Sequence, residues 1–173
     1  MIQLLAAAIL AQPEASIHTY SMKDIDGKEI ALRKYKGSVC LVVNVASKCG
    51  LTPQYEALEI LYKKYAKKGF TILAFPSNDF KSQEPGTNAE IKEFCQKNYG
   101  VTFPIFSKIQ VLGSEKAPLY SFLIESVQPV QEIEWNFAKF LVGKDGVPIA
   151  RFPSRMKPDD SKIISAIESA LSK

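Results

Sequence analysis

Two apolar runs separated by an amphipathic segment restrict the fold of this chain more than any other feature of its sequence. Residues 38–47 (SVCLVVNVAS) and 70–77 (FTILAFPS) are almost continuously apolar and rich in β-branched and aromatic side chains. Such runs are typical of strands that are buried on both faces, as in a parallel sheet. Parallel strands need a long connection, and the intervening segment is long enough to supply a helix. The sequence therefore predicts a strand–helix–strand unit.

The segment between the two runs has the spacing of an amphipathic helix. Its apolar side chains recur at i, i+3, i+4 and i+7 and predict one apolar face, formed by Leu58, Leu61, Tyr62 and Tyr65. We expect Thr52 to cap this helix, Pro53 to be its first residue and Gly69 to end it.

Further strands and helices are predicted around this unit. Residues 17–37 predict a hairpin with Asp26 and Gly27 at its turn, and residues 137–154 predict a second hairpin. Periodicity and caps predict three more helices, in the segments 88–99, 117–127 and 157–173, with Thr87 or Asn88 as the cap of the first. This order matches an α/β thioredoxin-like fold, with a central mixed β-sheet flanked by helices and an extra N-terminal β-hairpin.

Residues 17–173 are interpreted as a single domain, because no repeat or linker divides them. Residues 1–16 are interpreted as an N-terminal extension, whose short apolar run followed by small residues resembles a secretory signal. No lysine or arginine precedes that run, so a helix on the domain surface is the alternative. The run is shorter than the roughly 20 residues of a spanning helix, and we expect no stable membrane span. Export, for example to the periplasm, and a cytoplasmic location both remain open.

Composition excludes several classes of function. The net charge of +4 comes from scattered lysines rather than a dense basic stripe, so we expect no nucleic-acid partner. Three cysteines and one histidine, without a C-x-x-C pair, predict neither a disulfide scaffold nor a zinc site. We expect no cofactor and no metal.

Cys49 stands at the junction between the first predicted strand and its helix. A helix N-terminus offers free backbone N–H groups and the positive end of the helix dipole, and both favour the thiolate. Lys48 adds positive charge, and the polar neighbours Ser47 and Thr52 argue against full burial. We therefore interpret Cys49 as a reactive cysteine rather than a core filler.

The other two cysteines have different surroundings. Cys40 lies in the middle of a predicted strand, where free cysteine behaves as a small hydrophobe, so we interpret it as structural. Cys95 falls with Ile91 and Phe94 on the apolar face of the helix 88–99. Its spacing leaves two roles open, as a filler of that face or as the partner of an oxidised Cys49.

Four longer motifs together resemble the glutathione peroxidase family: NVASKCGLTPQYEALEILYKKY, ILAFPSNDFKSQEPGTNAEIKEFC, GVTFPIFSKIQV and WNFAKFLVGKDGVPIARF. The resemblance extends from about residue 17 to the C-terminus and is strongest to cysteine-containing bacterial and plant-type members, which use thioredoxin rather than glutathione. It implies a thioredoxin-like fold and the reduction of hydrogen peroxide and of organic or lipid hydroperoxides.

The family's site contains a peroxidatic cysteine, a glutamine, a tryptophan and an asparagine. The resemblance places Cys49, Trp135 and Asn136 at three of these positions. Where the family usually reads F-P-C-N-Q-F, this chain has Asp79 in place of the glutamine. An indole and side-chain amides donate hydrogen bonds without competing charge. The family's catalytic set therefore implies Cys49, Asp79, Trp135 and Asn136 here.

The aspartate leaves three possibilities open. An ionised Asp79 would repel the thiolate, a protonated one would donate a hydrogen bond and make activity fall as the pH rises, and one turned away would accept the N–H of Trp135. We expect an active peroxidase that is slower than a glutamine-bearing relative. Asn78 and Gln83 lie in the same loop, where they either satisfy backbone groups or touch substrate.

The resemblance also implies how the enzyme is regenerated. Cys95 falls where thioredoxin-dependent members carry their resolving cysteine, and its helix would have to unwind locally to reach Cys49. The reductant is thioredoxin or glutathione, and the short segment before Trp135 is typical of monomeric members. The alternatives are a thiol redox sensor or relay with weak turnover, and a binding module with a degenerate site.

Overall fold

The structure, a computed structural model, describes residues 15–173 and begins with the predicted hairpin. Strand β1 (Ser21–Lys23) pairs antiparallel with β2 (Glu29–Ala31). The carboxylate of Asp24 closes the turn by accepting the backbone N–H groups of Asp26 and Lys28 at 3.0 and 2.9 Å. The strands are shorter than the sequence pattern suggests, because a short 3-10 helix flanks the hairpin on either side.

A four-stranded mixed sheet forms the centre of the domain. β3 (Val39–Val45) and β4 (Phe70–Pro76) are parallel, as the two apolar runs predict. β5 (Lys139–Val142) pairs antiparallel with β3, and β6 (Pro148–Phe152) pairs antiparallel with β5. The strand order β4-β3-β5-β6 confirms the predicted mixed sheet.

Four helices cover the sheet and enclose two apolar cores. They are α1 (Gln54–Tyr65), α2 (Asn88–Tyr99), α3 (Pro118–Glu125) and α4 (Ser161–Leu171). Alternate residues of β3 point to opposite faces: one set packs with α1, α2 and α4, and the other packs with α3. All residues of β3 are buried, which explains its almost continuous apolar sequence. Within the described part of the chain, no helix has the length and apolarity needed to cross a membrane.

The predicted cap of α1 is wrong. The helix begins at Gln54, so Pro53 precedes its first residue and Thr52 is not its cap. The reason is that the hydroxyl of Thr52 accepts the backbone N–H of Cys49, which lies upstream of the helix. α1 ends at Tyr65, and a short 3-10 helix separates it from the predicted terminator, a glycine in the left-handed conformation.

Of the two predicted caps of α2, Thr87 is the one that the structure shows. The hydroxyl of Thr87 accepts the N–H of Glu90, and the carboxylate of Glu90 accepts the N–H of Thr87, at 3.3 and 2.7 Å. This reciprocal capping box satisfies two backbone donors at the start of the helix. The helix that carries Cys95 is therefore fixed at its N-terminus by two side chains.

Residues 1–14, most of the predicted extension, lie outside the described residues. Ser16, the last residue of that predicted extension, packs against the domain: it is 8% exposed and its hydroxyl donates to the carbonyl of Asp145 at 3.1 Å. The backbone N–H of Ile17 donates to the carbonyl of Gly146. Both contacts are with the turn between β5 and β6.

The segments that carry the predicted site residues leave the sheet at one end. Cys49 follows the C-terminal end of β3, and the loop with Asp79 and Gln83 follows the C-terminal end of the parallel strand β4. Because β5 is antiparallel to β3, Trp135 and Asn136, which precede β5, lie at this same end. The topology therefore brings together three loops that are far apart in the sequence.

Candidate active site

The loop between β3 and α1 holds Cys49 by its backbone. The hydroxyl of Thr52 accepts the N–H of Cys49 at 3.0 Å and donates to the carbonyl of Ala46 at 2.8 Å. The N–H of Leu51 then donates to the sulfur atom of Cys49 at 3.3 Å. The loop therefore supplies one backbone donor that points directly at the sulfur atom.

Exposure distinguishes Cys49 from the other two cysteines. Cys49 retains 8% of its surface, whereas Cys40 and Cys95 are both 0% exposed. Burial raises the pKa of Cys40 to about 12 and the pKa of Cys95 to about 11, with the hydroxyl of Tyr55 opposing the second shift. The thiols of Cys40 and Cys95 are therefore protonated and inaccessible in this conformation. Cys49 is also buried, but of the three cysteines it alone keeps some exposed surface.

Gln83 connects the Cys49 loop to the loop that precedes β5. Its backbone carbonyl accepts the N–H of Lys48 at 2.9 Å. Its side-chain oxygen accepts a hydrogen bond from the amide of Asn136, also at 2.9 Å. Gln83 therefore has one contact with the residue next to Cys49 and another with a predicted site residue.

The carboxylate of Asp79 contacts backbone groups of a neighbouring loop. One of its carboxylate oxygens accepts the backbone N–H groups of Val111 and Leu112 at 2.5 and 3.1 Å. The third possibility for Asp79 named the indole of Trp135 as its partner, whereas the carboxylate here accepts from this backbone. Asp79 thus fixes residues 111–112, and the amide that contacts Asn136 belongs to Gln83.

The sequence left two roles open for Gln83, and the structure shows its side chain bonded to Asn136. Gln83 lies in the same loop as Asp79, four positions later, and carries the amide that the family's site requires. Alignment with the family's F-P-C-N-Q-F pattern places the glutamine at position 79 instead. Only the conformation of the loop determines which of its polar side chains turns inward.

Trp135 lies at the edge of both apolar cores and is half-buried. Its ring is 5.5 Å from the ring of Phe80, and the ammonium group of Lys81 lies 5.7 Å from its centroid. It packs against the core that contains Cys49. Its carbonyl oxygen accepts the side-chain amide of Asn44, a residue of β3, at 3.0 Å. The indole is therefore held at the end of the sheet where Cys49 lies.

Backbone strain is concentrated in these loops. In residues 15–173, the non-glycine residues with positive φ are Lys81, Ser82 and Phe137. The first two directly precede Gln83, and the third directly follows Asn136. Such conformations cost free energy and persist only where surrounding contacts impose them. Their position supports the assignment of these loops to a functional site.

Two clefts flank Cys49. Ser47 and Lys48 line a cavity of about 420 Å³ that extends to α2. Gly50 and Leu51 line another, of about 410 Å³, that extends to the loop before α4. Cys49 itself lines neither cleft, but its chain neighbours on each side do. Each cleft is large enough for part of a small molecule or a peptide side chain.

A buried acid lies beside the first cleft. Glu84 is 1% exposed, and one of its carboxylate oxygens has no hydrogen-bond partner among residues 15–173. Burial raises its pKa, and Ser47, Lys108 and Lys48 oppose the shift. Glu84 directly follows Gln83, so its protonation state bears on the loop that holds the amide.

Comparison with known proteins identifies the family. The glutathione peroxidase family model matches residues 17–124. The chain is 49% identical over 156 residues to a glutathione peroxidase homolog, BsaA, of Halalkalibacterium halodurans, covering 86% of this chain and 99% of that protein. It is 47% identical over 180 residues to the thioredoxin/glutathione peroxidase BtuE of Escherichia coli, covering 91% and 98%.

The fold agrees with this assignment. A crystal structure of Trgpx in its apo form superposes with a TM-score of 0.76 at 37% identity, covering 92% of this chain and 97% of the other. The sequence resemblance, the thioredoxin-like sheet and the meeting of the Cys49, Gln83 and Asn136 loops all agree with these matches. This chain belongs to the glutathione peroxidase family.

Proposed function

We propose that this protein reduces hydroperoxides by direct attack of the Cys49 thiolate. Family membership makes the protein a thiol peroxidase. The sulfur attacks one peroxide oxygen, so that an S–O bond forms while the O–O bond breaks. Sulfur is oxidised to sulfenic acid, and the peroxide is reduced to an alcohol or water once the departing oxygen takes a proton.

The contact between Gln83 and Asn136 carries this proposal. Because the side-chain oxygen of Gln83 accepts from Asn136, its own amide N–H groups remain free to donate. The backbone of Gln83 is tied to Lys48, next to the attacking residue. We assign to Gln83 the donor role of the family's glutamine, whose sequence position Asp79 occupies: Gln83 donates to the charged sulfur or to the departing oxygen.

Trp135 and Asn136 complete the proposed set of donors. The indole N–H of Trp135 and the amide of Asn136 are neutral, so they stabilise developing negative charge without repelling the thiolate. Asn136 acts in part through Gln83, whose orientation it fixes. Asn136 is 0% exposed, and its side-chain oxygen has no partner within residues 15–173.

Cys95 is the proposed resolving cysteine. It attacks the sulfenic acid of Cys49, so that an S–S bond forms and water leaves. Both residues belong to the same apolar core, but Cys95 is enclosed within α2. Its buried, protonated thiol cannot react until α2 opens locally, and the disulfide then holds the helix in the open form.

A dithiol protein of the thioredoxin class is the proposed reductant. An intramolecular disulfide is the substrate that such a dithiol reduces by exchange, whereas glutathione would react with the sulfenic acid itself. One relative carries both reductants in its name, and family membership requires a thiol reductant of some kind. We also propose that the protein is a monomer, which light scattering in solution tests.

The first experiment follows oxidation by mass spectrometry under non-reducing conditions. After one equivalent of hydrogen peroxide, the wild-type protein is expected to lose two hydrogens, through a Cys49–Cys95 disulfide. Cys95→Ser should stop at the sulfenic acid, and Cys49→Ser should not react. Cys40→Ser is the matched control, because Cys40 is equally buried but packs in the other core. A wild-type sulfenic acid that stays stable contradicts the role of Cys95.

The second experiment separates an enzyme from a redox sensor. Turnover is measured with thioredoxin, thioredoxin reductase and NADPH, and separately with glutathione, glutathione reductase and NADPH. An enzyme cycles many times at a rate proportional to its concentration, with hydrogen peroxide or a lipid hydroperoxide as substrate. A protein that is oxidised once and then reduced only slowly by both systems is a sensor or relay.

A further inference from the structure

A lysine side chain is completely buried beneath the loop that carries Trp135 and Asn136. Lys139, the first residue of β5, is 0% exposed. Its ammonium group donates to the carbonyl of Phe137 at 2.7 Å and to that of Ser154 at 3.4 Å. Burial lowers its pKa to about 7, with Glu134 opposing the shift. Removing an ammonium group from water costs folding free energy, so a purely space-filling role would be met better by an apolar side chain.

The main contact of Lys139 is with a strained residue. Phe137 is a bulky residue with a φ of 67°, in the left-handed region that such side chains rarely adopt. Two hydrogen bonds hold it there: its N–H donates to the carbonyl of Asn44 at 2.6 Å, and its carbonyl accepts from Lys139. Phe137 directly follows Asn136, so its conformation sets the direction in which the preceding residues leave the strand.

Ser154 connects the same loop to the start of α1. Its hydroxyl donates to the carbonyl of Trp135 at 3.1 Å. Its own carbonyl, which Lys139 also reaches, accepts from the side-chain amide of Gln54 at 2.8 Å. Gln54 is the first residue of α1 and directly follows the Cys49 turn. Lys139 therefore lies between the loop with the indole and the helix behind the cysteine.

We propose that Lys139 is a positioning residue, whose ammonium group fixes the main chain of residues 135–137 and thereby orients Trp135 and Asn136 relative to Cys49. This inference rests on the proposed function, since the step it serves is the attack of Cys49 on peroxide. Lys139 itself touches no reacting atom. It acts by holding a backbone conformation that the local sequence disfavours.

The test uses the fact that Trp135 is the only tryptophan of the chain. Its fluorescence therefore reports the position of this loop alone. Lys139→Met keeps the length of the side chain and removes its donors. We expect at least a twofold rise in quenching of the indole by acrylamide, a red-shifted emission, and at least a tenfold slower oxidation of Cys49 by hydrogen peroxide. Lys139→Gln retains a neutral donor and should lie between wild type and Lys139→Met.

Leu141→Val is the matched control, because Leu141 is buried in the same strand but has no side-chain donor that could bond the main chain of the loop. It should leave fluorescence and the peroxide rate within twofold of wild type. The proposal is overturned if indole emission and quenching are the same in Lys139→Met as in wild type. It is also overturned if Leu141→Val changes them as much as Lys139→Met does. If circular dichroism shows that Lys139→Met does not fold, Lys139→Gln decides by the same criteria.

The failure of this inference is distinguishable from the failure of the proposed function. A wild-type protein that does not react with peroxide removes the function, but the fluorescence comparison still determines whether Lys139 places the indole. If wild type reacts with peroxide but the indole does not move in the Lys139 variants, only the proposed role of Lys139 is contradicted.

Discussion

The side-chain amide of Asn136 donates to the side-chain oxygen of Gln83 across 2.9 Å and joins two loops 53 residues apart in the chain. Since the backbone of Gln83 is also bonded to Lys48, this contact links the tryptophan–asparagine loop to the cysteine loop. A neutral amide pair of this kind sets the direction of the remaining donors before peroxide arrives. The first prediction concerns this pair.

Replacing either amide should slow the attack on peroxide. We expect Gln83→Ala and Asn136→Ala each to reduce the second-order rate of Cys49 oxidation by about 100-fold, the usual effect of removing a donor to developing charge. Because the two side chains act through one hydrogen bond, the double variant should lose much less than the product of both effects. Stopped-flow measurement with hydrogen peroxide tests this. Gln110→Ala removes an exposed amide and serves as the control, and strictly additive losses would contradict the coupling.

Asp79 should matter for stability and not for the reaction. Asp79→Asn keeps an acceptor for the backbone N–H groups of Val111 and Leu112, so stability should change by less than about 1 kcal/mol. Asp79→Ala leaves both donors without their acceptor and should cost about 1–3 kcal/mol in urea unfolding. The peroxide rate and its pH profile should stay within twofold of wild type in both variants. A changed pH profile of the peroxide rate in Asp79→Asn would indicate that Asp79 acts in the reaction.

Weakening the capping box of α2 should speed disulfide formation. Thr87→Ala removes the hydroxyl that accepts the N–H of Glu90 and should destabilise the helix by about 1 kcal/mol. If Cys95 reacts only from the opened helix, the disulfide should then form about fivefold faster after oxidation of Cys49. Rapid acid quenching followed by mass spectrometry measures this rate.

The matched control for this prediction lies on α4. Asp160 caps that helix by accepting the N–H of Lys162 at 2.9 Å, and α4 carries no cysteine. Asp160→Ala should cost similar stability without changing the rate of disulfide formation. Equal rates in Thr87→Ala and wild type would indicate that Cys95 reacts without opening of α2.

Ionisation of Glu84 should destabilise the folded protein. Burial raises its folded pKa above the unfolded value, so the folded state holds the proton longer and loses stability as the pH rises past the unfolded pKa of about 4.3. Glu84→Gln cannot ionise. Its stability relative to wild type should therefore increase between pH 4 and pH 7, as measured by urea unfolding. Glu90→Gln should show the opposite trend, because the backbone and hydroxyl of Thr87 lower the folded pKa of Glu90.

The contribution of Lys139 to stability should have the opposite dependence on pH. Its folded pKa of about 7 lies below the unfolded value, so between these values the unfolded state binds more protons and stability rises with pH. The unfolding free energy of wild type should rise relative to that of Lys139→Met between pH 7 and pH 9, by at most about 1.4 kcal/mol per pH unit. Lys162→Met removes an exposed lysine and serves as the control. A pH-independent difference in unfolding free energy would contradict the burial of a titrating ammonium group.

The sequence predicted the sheet well because burial on both faces leaves a direct mark on composition. β3 and β4 each consist of seven buried residues, and no exposed face interrupts the apolar run. The cap of α2 was predicted for a similar reason, since Thr87 and Glu90 satisfy backbone groups in their own turn. Structural features that depend on residues close together in the sequence could therefore be predicted.

The site was only partly predictable because its loops depend on contacts between distant segments. Gln83 faces Asn136 through a loop in which Lys81 and Ser82 adopt a disfavoured conformation, and local sequence gives no reason for that conformation. Thr52 was expected to cap a helix, yet its hydroxyl supports the backbone of Cys49 instead. In both cases a tertiary contact overrode the local preference.

The contact of Ser16 and Ile17 with the turn between β5 and β6 has a practical consequence for tethering. β5 is antiparallel to β3, so this turn lies beside the start of β3, whereas Cys49 follows its end. A bead, electrode or fluorescent protein attached ahead of Ala15 would therefore be joined at the opposite pole of the domain from the sulfur. Immobilised in that way, the molecule would present the end that carries Cys49 to the surrounding liquid.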